Sequence, residues 1–191
     1  MPVRLIAMRR FGDERGWFSE TWNARAYAAD GIHAGFVQDN HSLSRDKGVL
    51  RGLHFQRPPH AQAKLVRCPR GAIWDVAVDV RKASPTFGHW VGAELSAANG
   101  LALFVPEGFA HGFLTLESDT EVHYKVTDFH APDCEGGVIW NDESLSLPWP
   151  TDGAAPILSA KDALLPPLTG FESPFAYEGS PLDRALAPIT L

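Results

Sequence analysis

Leu101-Ala102-Leu103-Phe104-Val105-Pro106-Glu107-Gly108-Phe109-Ala110-His111-Gly112-Phe113-Leu114-Thr115-Leu116 is the stretch that sets the architecture of this chain. An apolar run, Leu101 to Val105, stops at a proline. Pro106-Glu107-Gly108 is turn chemistry, and a second short run, Gly112 to Leu116, follows it. Each run has the length of a strand and lacks the period of an amphipathic helix. The same grammar recurs outward in both directions: Lys64 to Cys68, Ile73 to Val80, Trp90 to Leu95 and Glu121 to Thr127 are alternating or β-branched runs bounded by Gly, Pro, Asn, Asp or Ser. The chain's 17 glycines and 15 prolines supply the punctuation. Short strands at regular spacing predict an all-β sandwich or barrel. Helical periods are scarce. The best is Ala24 to Ala29, with Asn23 as N-cap and Gly31 as its stop, and a second, shorter helix is expected after Ser159 with Lys161 and Asp162 in its first turn.

The chain's 191 residues predict one β-domain over residues 1–168 and an irregular tail over 169–191, which carries Pro174, Pro181 and Pro188. Hydrophobic residues make up 45% and charged residues 21%, a globular composition. The net charge of -6 argues against a nucleic-acid binder, which needs a basic face to displace counterions, but it leaves room for a buried basic pocket holding one anion. No apolar run is long enough to span a membrane. Met1 to Arg10 lacks the hydrophobic core of a secretion signal, so Cys68 and Cys134 are expected as free thiols in a cytoplasmic protein.

Chemistry concentrates in a few polar residues set in apolar strand context. His54 lies between Leu53 and Phe55, and alone reads as a hydrogen-bonded core histidine. Arg51 lies three residues before it, and Lys64 opens what looks like the next strand. Two cations buried beside a histidine are costly unless an anion or a carboxylate offsets them. Strict alternation puts Arg51 and His54 on opposite faces; a β-bulge at Gly52 would turn both inward. Tyr124 sits between Val122 and Val126 on one strand face, so its phenol projects inward as either a core tyrosine or an acid. Histidine with lysine and tyrosine suits proton abstraction next to a carbonyl, with the enolate stabilised by a cation.

Pro106-x-Gly108-x-x-His111 resembles the second sequence motif of the cupin superfamily, which implies a cupin-type double-stranded β-helix, or jelly roll, with one or two short helices. In metal-binding cupins that histidine is a ligand. The region matching the first motif offers His54 alone, and His54 with His111 falls short of the three ligands a catalytic metal usually needs. No metal and no cofactor are therefore expected; a metal-dependent cupin is the lesser alternative.

Longer stretches resemble the dTDP-4-dehydrorhamnose 3,5-epimerase family. They are Phe11 to Gly16, Phe36 to Ser42, Val49 to Gln56 (VLRGLHFQ), Gln62 to Cys68, Asp75 to Arg81, Ser84 to Gly88, Val105 to Phe113 (VPEGFAHGF), Tyr124-Lys125, Trp140 to Asp142 and Leu158 to Asp162, spanning residues 4–168. The resemblance implies a metal-free homodimer acting on a dTDP-4-keto-6-deoxy sugar, with inversion at C3 and C5. It assigns His54 as base, Asp162 as its hydrogen-bonding partner, Lys64 at the enolate oxygen and Tyr124 as the acid on the other face. His111 would line the sugar pocket, and Arg15 and Arg51 would hold the diphosphate. Glu20, Gln38 and Asn40 would contact the nucleotide, Glu135 and Lys161 would complete the ligand shell, and Arg15 and Glu20 would reach into the neighbouring subunit's pocket. One position departs from the family pattern: six residues after Tyr124, where many members carry a second tyrosine, stands His130. A 3-epimerase acting on a related sugar is the alternative this raises. Trp17, Phe18 and Trp22 read as core or interface aromatics with a possible stacking role, and His33, His60, His89 and His123 as surface or structural. Asp75 and Asp79 share a strand face, and pairing with Lys or Arg is their expected use.

Overall fold

The computed structural model describes residues 1–190. Among the described residues thirteen strands form: β1 (Arg4–Ala7), β2 (Phe11–Asp13), β3 (Gly16–Phe18), β4 (Gln38–Ser44), β5 (Leu50–Gln56), β6 (Lys64–Arg70), β7 (Ala72–Asp79), β8 (Trp90–Ser96), β9 (Leu101–Val105), β10 (Phe109–Thr115), β11 (Thr120–Val126), β12 (Glu135–Gly137) and β13 (Ile189–Thr190). They build a six-stranded sheet in the order β13-β1-β9-β6-β11-β4, a five-stranded sheet β12-β5-β10-β7-β8, and the separate hairpin β2-β3. This is the cupin-type jelly roll expected from the sequence. Among the described residues no helix is long and apolar enough to cross a membrane.

Each face of the two sheets carries an apolar cluster, and that is why many of the runs read as near-continuous hydrophobic segments. Along β9, Leu103 and Val105 point into the space between the sheets, while Ala102 and Phe104 point outward. The outer face of the six-stranded sheet is covered by helix α1 (Ala24–Ala29), through Tyr27 and Ile32 beyond it. Asn23 caps this helix, its Oδ1 accepting from the backbone N–H of Arg25 and Ala26 at 3.0 and 3.3 Å. The outer face of the five-stranded sheet lies under Val138, Leu145, Leu168 and Phe175. Full burial of a side chain such as Phe104 contributes on the order of 2–3 kcal/mol.

Three local findings differ from the sequence expectation. β10 begins at Phe109 rather than Gly112, so His111 stands within a strand whose seven residues are all buried. The second helix is a single 3-10 turn, Asp162–Leu164. The polar stretch Gln38–Ser44 is a full strand whose residues alternate between half-buried and exposed, because it lies at the sheet's edge.

The bulge at Gly52 is present. β5 and β10 pair His54 with His111 and Arg51 with Phe113, so three steps along β5 match two along β10. Gly52 adopts φ +111, where a Cβ would lie 2.6 Å from the His111 carbonyl oxygen and 2.7 Å from Gly112 Cα. Only glycine fits that close approach of two backbones. The bulge turns Arg51 and His54 toward the same cavity.

Beyond residue 168 the chain crosses the body. Phe175 and Leu182 are buried, Lys82 N donates to Phe175 O at 2.7 Å, and β13 adds in parallel to β1. Arg81 anchors this crossing. It is ion-paired with Asp79 at 2.7 Å, donates to the Ser180 carbonyl at 3.1 Å and stacks on Phe109 and Tyr177.

Candidate active site

Between the sheets the apolar interior gives way to a polar chamber of about 260 Å³. β5 supplies Arg51 and His54, β6 supplies Lys64, β10 supplies His111, β11 supplies Tyr124, and the segment leading into the 3-10 turn supplies Ser159, Lys161 and Asp162. A wider mouth of about 440 Å³ shares His54, Lys64, Tyr124 and Lys161, and adds Gln38, Asn40, His130 and Glu135. Ten of the twelve residues named from the sequence thus converge on one continuous space, since the chamber and its mouth share four side chains and together take in all but Arg15 and Glu20.

His54 Nε2 donates to Asp162 Oδ1 at 2.5 Å. A carboxylate accepts only, so this contact places the proton on Nε2 and leaves Nδ1 with the lone pair of a base. Burial pushes the Asp162 carboxyl up, but hydrogen bonds from His54, Ser159 and the Gly52 backbone outweigh it and hold the group below the usual carboxylate range. Asp162 N in turn donates to Ser159 Oγ at 3.0 Å, which fixes the 3-10 turn. Gly52 therefore serves the site twice, through the bulge and through this carboxylate.

Lys64 opens β6 with its Nζ 3.5 Å from the His54 carbonyl oxygen. Desolvation brings its pKa down to about 8, against the opposing charges of Asp75 and Glu135. Tyr124 stands opposite Asn40 across the β4–β11 ladder, and burial raises its phenol above the ordinary value despite the Arg51 charge. Its hydroxyl makes no hydrogen bond among the described residues.

At the mouth, Glu135 is bonded to Lys161 and accepts from His130 Nε2 at 3.1 Å. The Lys161 bond, with help from His130, outweighs desolvation and holds the Glu135 carboxyl below its usual range. Buried Gln56 places the loop that carries His130. It donates to the His60 and Phe129 carbonyls at 2.8 and 3.1 Å and accepts from Ala131 N at 2.9 Å. Gln38 Oε1 accepts from His130 N at 3.1 Å.

Arg15 and Glu20 stay outside this chamber within one chain. Arg15 lies in the turn of the β2-β3 hairpin, with its side chain 89% exposed and paired with Asp13 at 2.6 Å. Glu20 accepts from Asn23 Nδ2 at 2.9 Å, ahead of α1.

Asp75 is the residue whose position the sequence did not disclose. Asp79 found its arginine, as expected, but Asp75 Oδ1 accepts from His111 Nε2 at 2.8 Å. An acid in the middle of an apolar strand signals an internal partner, and the alternation of β7 did not say which. Ser159 was likewise legible only as part of LSAKD, although Ser-x-x-Asp is the spacing by which a serine receives the N–H three residues on. A second group of metal-type side chains, His41, Glu121 and His123, sits on the outer face, where Arg67 Nη2 donates to His123 Nδ1 at 3.1 Å.

A cupin-type barrel whose chamber holds a histidine–carboxylate pair, a half-buried lysine and a half-buried tyrosine belongs to the enzymes that move protons, the isomerases among them. The sequence profile described as dTDP-4-dehydrorhamnose 3,5-epimerase matches residues 2–170. The dTDP-4-dehydrorhamnose 3,5-epimerase of Salmonella typhimurium is 53% identical over 165 residues, covering 86% of this chain and 89% of its own. A Legionella pneumophila dTDP-6-deoxy-D-glucose-3,5-epimerase, solved in complex with dTDP-4-keto-L-rhamnose, superimposes with a TM-score of 0.87 at 42% identity, covering 93% of this chain and 94% of that one. The Bacillus anthracis dTDP-4-dehydrorhamnose 3,5-epimerase, solved with TDP and pyrophosphate bound, gives 0.84 at 50% identity over 86% of this chain and 93% of that one. This chain belongs to the dTDP-4-dehydrorhamnose 3,5-epimerase family and is an isomerase.

Proposed function

We propose that this protein inverts C3 and C5 of dTDP-4-keto-6-deoxyglucose to give dTDP-4-dehydro-L-rhamnose, in the cytoplasm, using its side chains alone. The observation that carries the mechanism is the 2.5 Å contact between His54 and Asp162 at the wall of a chamber that also holds Lys64 and Tyr124. His54 Nδ1 takes the proton from the carbon next to the C4 ketone. The C–H electron pair moves into an enolate whose oxygen lies at the Lys64 ammonium, and Tyr124 returns a proton to the opposite face. Each inversion is redox-neutral: one C–H bond breaks, one forms, and His54 and Tyr124 reset by exchange with water. Asp162 keeps the His54 proton on Nε2 and stabilises the imidazolium, worth roughly 10²–10⁴ in rate in comparable general-base pairs.

Arg51 meets the diphosphate with a planar fork of donors. Gln38, Asn40, Glu135 and Lys161 hold the nucleotide end at the mouth. The assembly is a homodimer in which Arg15 and Glu20 enter the neighbour's mouth. Support comes from the β2-β3 hairpin: it presents Phe11, Trp17 and Phe18 at 51, 61 and 69% exposure, an apolar surface that a second copy of the chain would cover.

Incubation of dTDP-4-keto-6-deoxyglucose in heavy water with chelator, read by NMR, tests the reading. Deuterium at C3 and C5 is the expected result, lost at both carbons in His54→Ala. Tyr124→Phe should exchange without full inversion. Exchange at C3 alone would make the protein a 3-epimerase and point to His130, the rim residue bonded to Glu135. No exchange, or wild-type turnover in His54→Ala, would overturn the assignment.

A further inference from the structure

The chamber contains a second histidine–carboxylate pair. His54 and His111 are direct cross-strand neighbours on β5 and β10, and each gives its Nε2 to an aspartate, Asp162 and Asp75 respectively. The two aspartates differ. Asp162 takes further hydrogen bonds from Ser159 and the Gly52 backbone, whereas the Oδ2 of fully buried Asp75 has no partner among the described residues. An unpaired carboxylate oxygen inside a barrel costs on the order of 1–3 kcal/mol or more. A residue serving packing alone would not need that charge.

The charge has one direct consequence. Asp75 can only accept, so His111 carries its proton on Nε2. Burial holds the His111 ring below the ordinary histidine pKa, the Asp75 charge opposing and Lys64 and His54 assisting, which favours the neutral ring. Nδ1 then bears a lone pair. No described protein donor reaches that nitrogen, and the His111 side chain lines the chamber. Around it stand the donors Arg51, Lys64, Lys161 and the Tyr124 phenol, together with Ser42, Ser159 and the His54–Asp162 pair. A ring nitrogen that carries only a lone pair recognises a ligand group that donates.

We infer that Asp75 is a positioning residue for substrate selection: it locks His111 as the Nε2–H tautomer, so that His111 Nδ1 accepts a hydrogen bond from a free hydroxyl on the sugar ring. This rests on the proposed reaction, in which the ring sits between His54 and Tyr124. A 4-keto-6-deoxy sugar with its anomeric oxygen on the diphosphate has two free hydroxyls, at C2 and C3, and His111 would read one of them. Lys64 and the arginines serve the ketone and the phosphates, and a lone pair at Nδ1 would repel both of those acceptors.

The test has two readouts. The first is the ¹⁵N spectrum of the His111 imidazole in labelled wild-type protein, assigned by its disappearance in His111→Asn. The expected result is a neutral ring protonated on Nε2. The second is the exchange rate at C5 for three substrates: the parent sugar and its 2-deoxy and 3-deoxy analogues. Wild type should disfavour one analogue by about a hundredfold or more, as a site built around a hydroxyl does. Asp75→Asn offers either an acceptor or a donor to Nε2 and no longer imposes the tautomer. It should bring that discrimination below about tenfold while slowing the matching deoxy analogue least. A ring protonated on Nδ1 in wild type would overturn the inference, and so would an Asp75→Asn variant that slows all three substrates by one factor. If wild type exchanges no protons in any of the three, the proposed reaction fails while the tautomer measurement still stands on its own.

Discussion

Raising the pH through 8 strips the proton from Lys64. Burial lowers its pKa from 10.5 to about 8, with Asp75 and Glu135 pulling the other way. The difference corresponds to roughly 3 kcal/mol of disfavour for the buried ammonium. At pH 7 about nine in ten molecules therefore carry the cation proposed to stabilise the enolate, and at pH 9 about one in ten. Initial rates of deuterium exchange, measured as kcat/KM from pH 6 to 10, should fall about tenfold per unit above pH 8. Tyr124 titrates above its ordinary 10 and does not contribute to this limb. Stability should move the other way. The unfolded chain binds the Lys64 proton more tightly than the folded one, so this group's contribution to stability rises between pH 8 and 10.5. Thermal melts run in parallel thus separate loss of charge from alkaline unfolding. Lys64→Arg keeps a cation at every pH, and its alkaline limb should vanish although its rate is lower. An unchanged limb in Lys64→Arg, or a wild-type rate flat to pH 10, would refute the assignment of this charge to catalysis.

Two further outcomes follow from the geometry. Gly52→Ala forces a Cβ to within 2.6 Å of the His111 carbonyl at a positive φ, and should cost about 2–4 kcal/mol by denaturant unfolding; a change under about 1 kcal/mol would mean that the bulge relaxes freely. Arg15→Ala and His54→Ala proteins, each inactive alone, should recover roughly a quarter of wild-type activity when refolded together in equal amounts, because half of the dimers then hold one intact site; no recovery would place Arg15 at its own chain's chamber or outside the reaction.

Strands with apolar residues on both faces were legible in the sequence because hydrophobic runs broken by Pro and Gly have few other uses, and β9 falls on Leu101–Val105 as read. β4 was not, since an edge strand with polar residues on its open face carries little hydrophobic signal. The start of β10 was misplaced because Pro106-Glu107-Gly108 marks a turn without saying how soon pairing resumes. His54, Lys64 and Tyr124 were legible through the cost of burying polar groups in apolar strands. Asp75 was not, because its partner His111 lies 36 residues away and only the β7–β10 register brings them together.

His54 and Asp162 are 108 residues apart in the chain. The two side chains meet only when the segment following β12 has folded back onto β5. Closing so long a loop is among the slower events available to a β-protein. During refolding, strand content should therefore return before turnover, and activity reports the last part of the molecule to find its place.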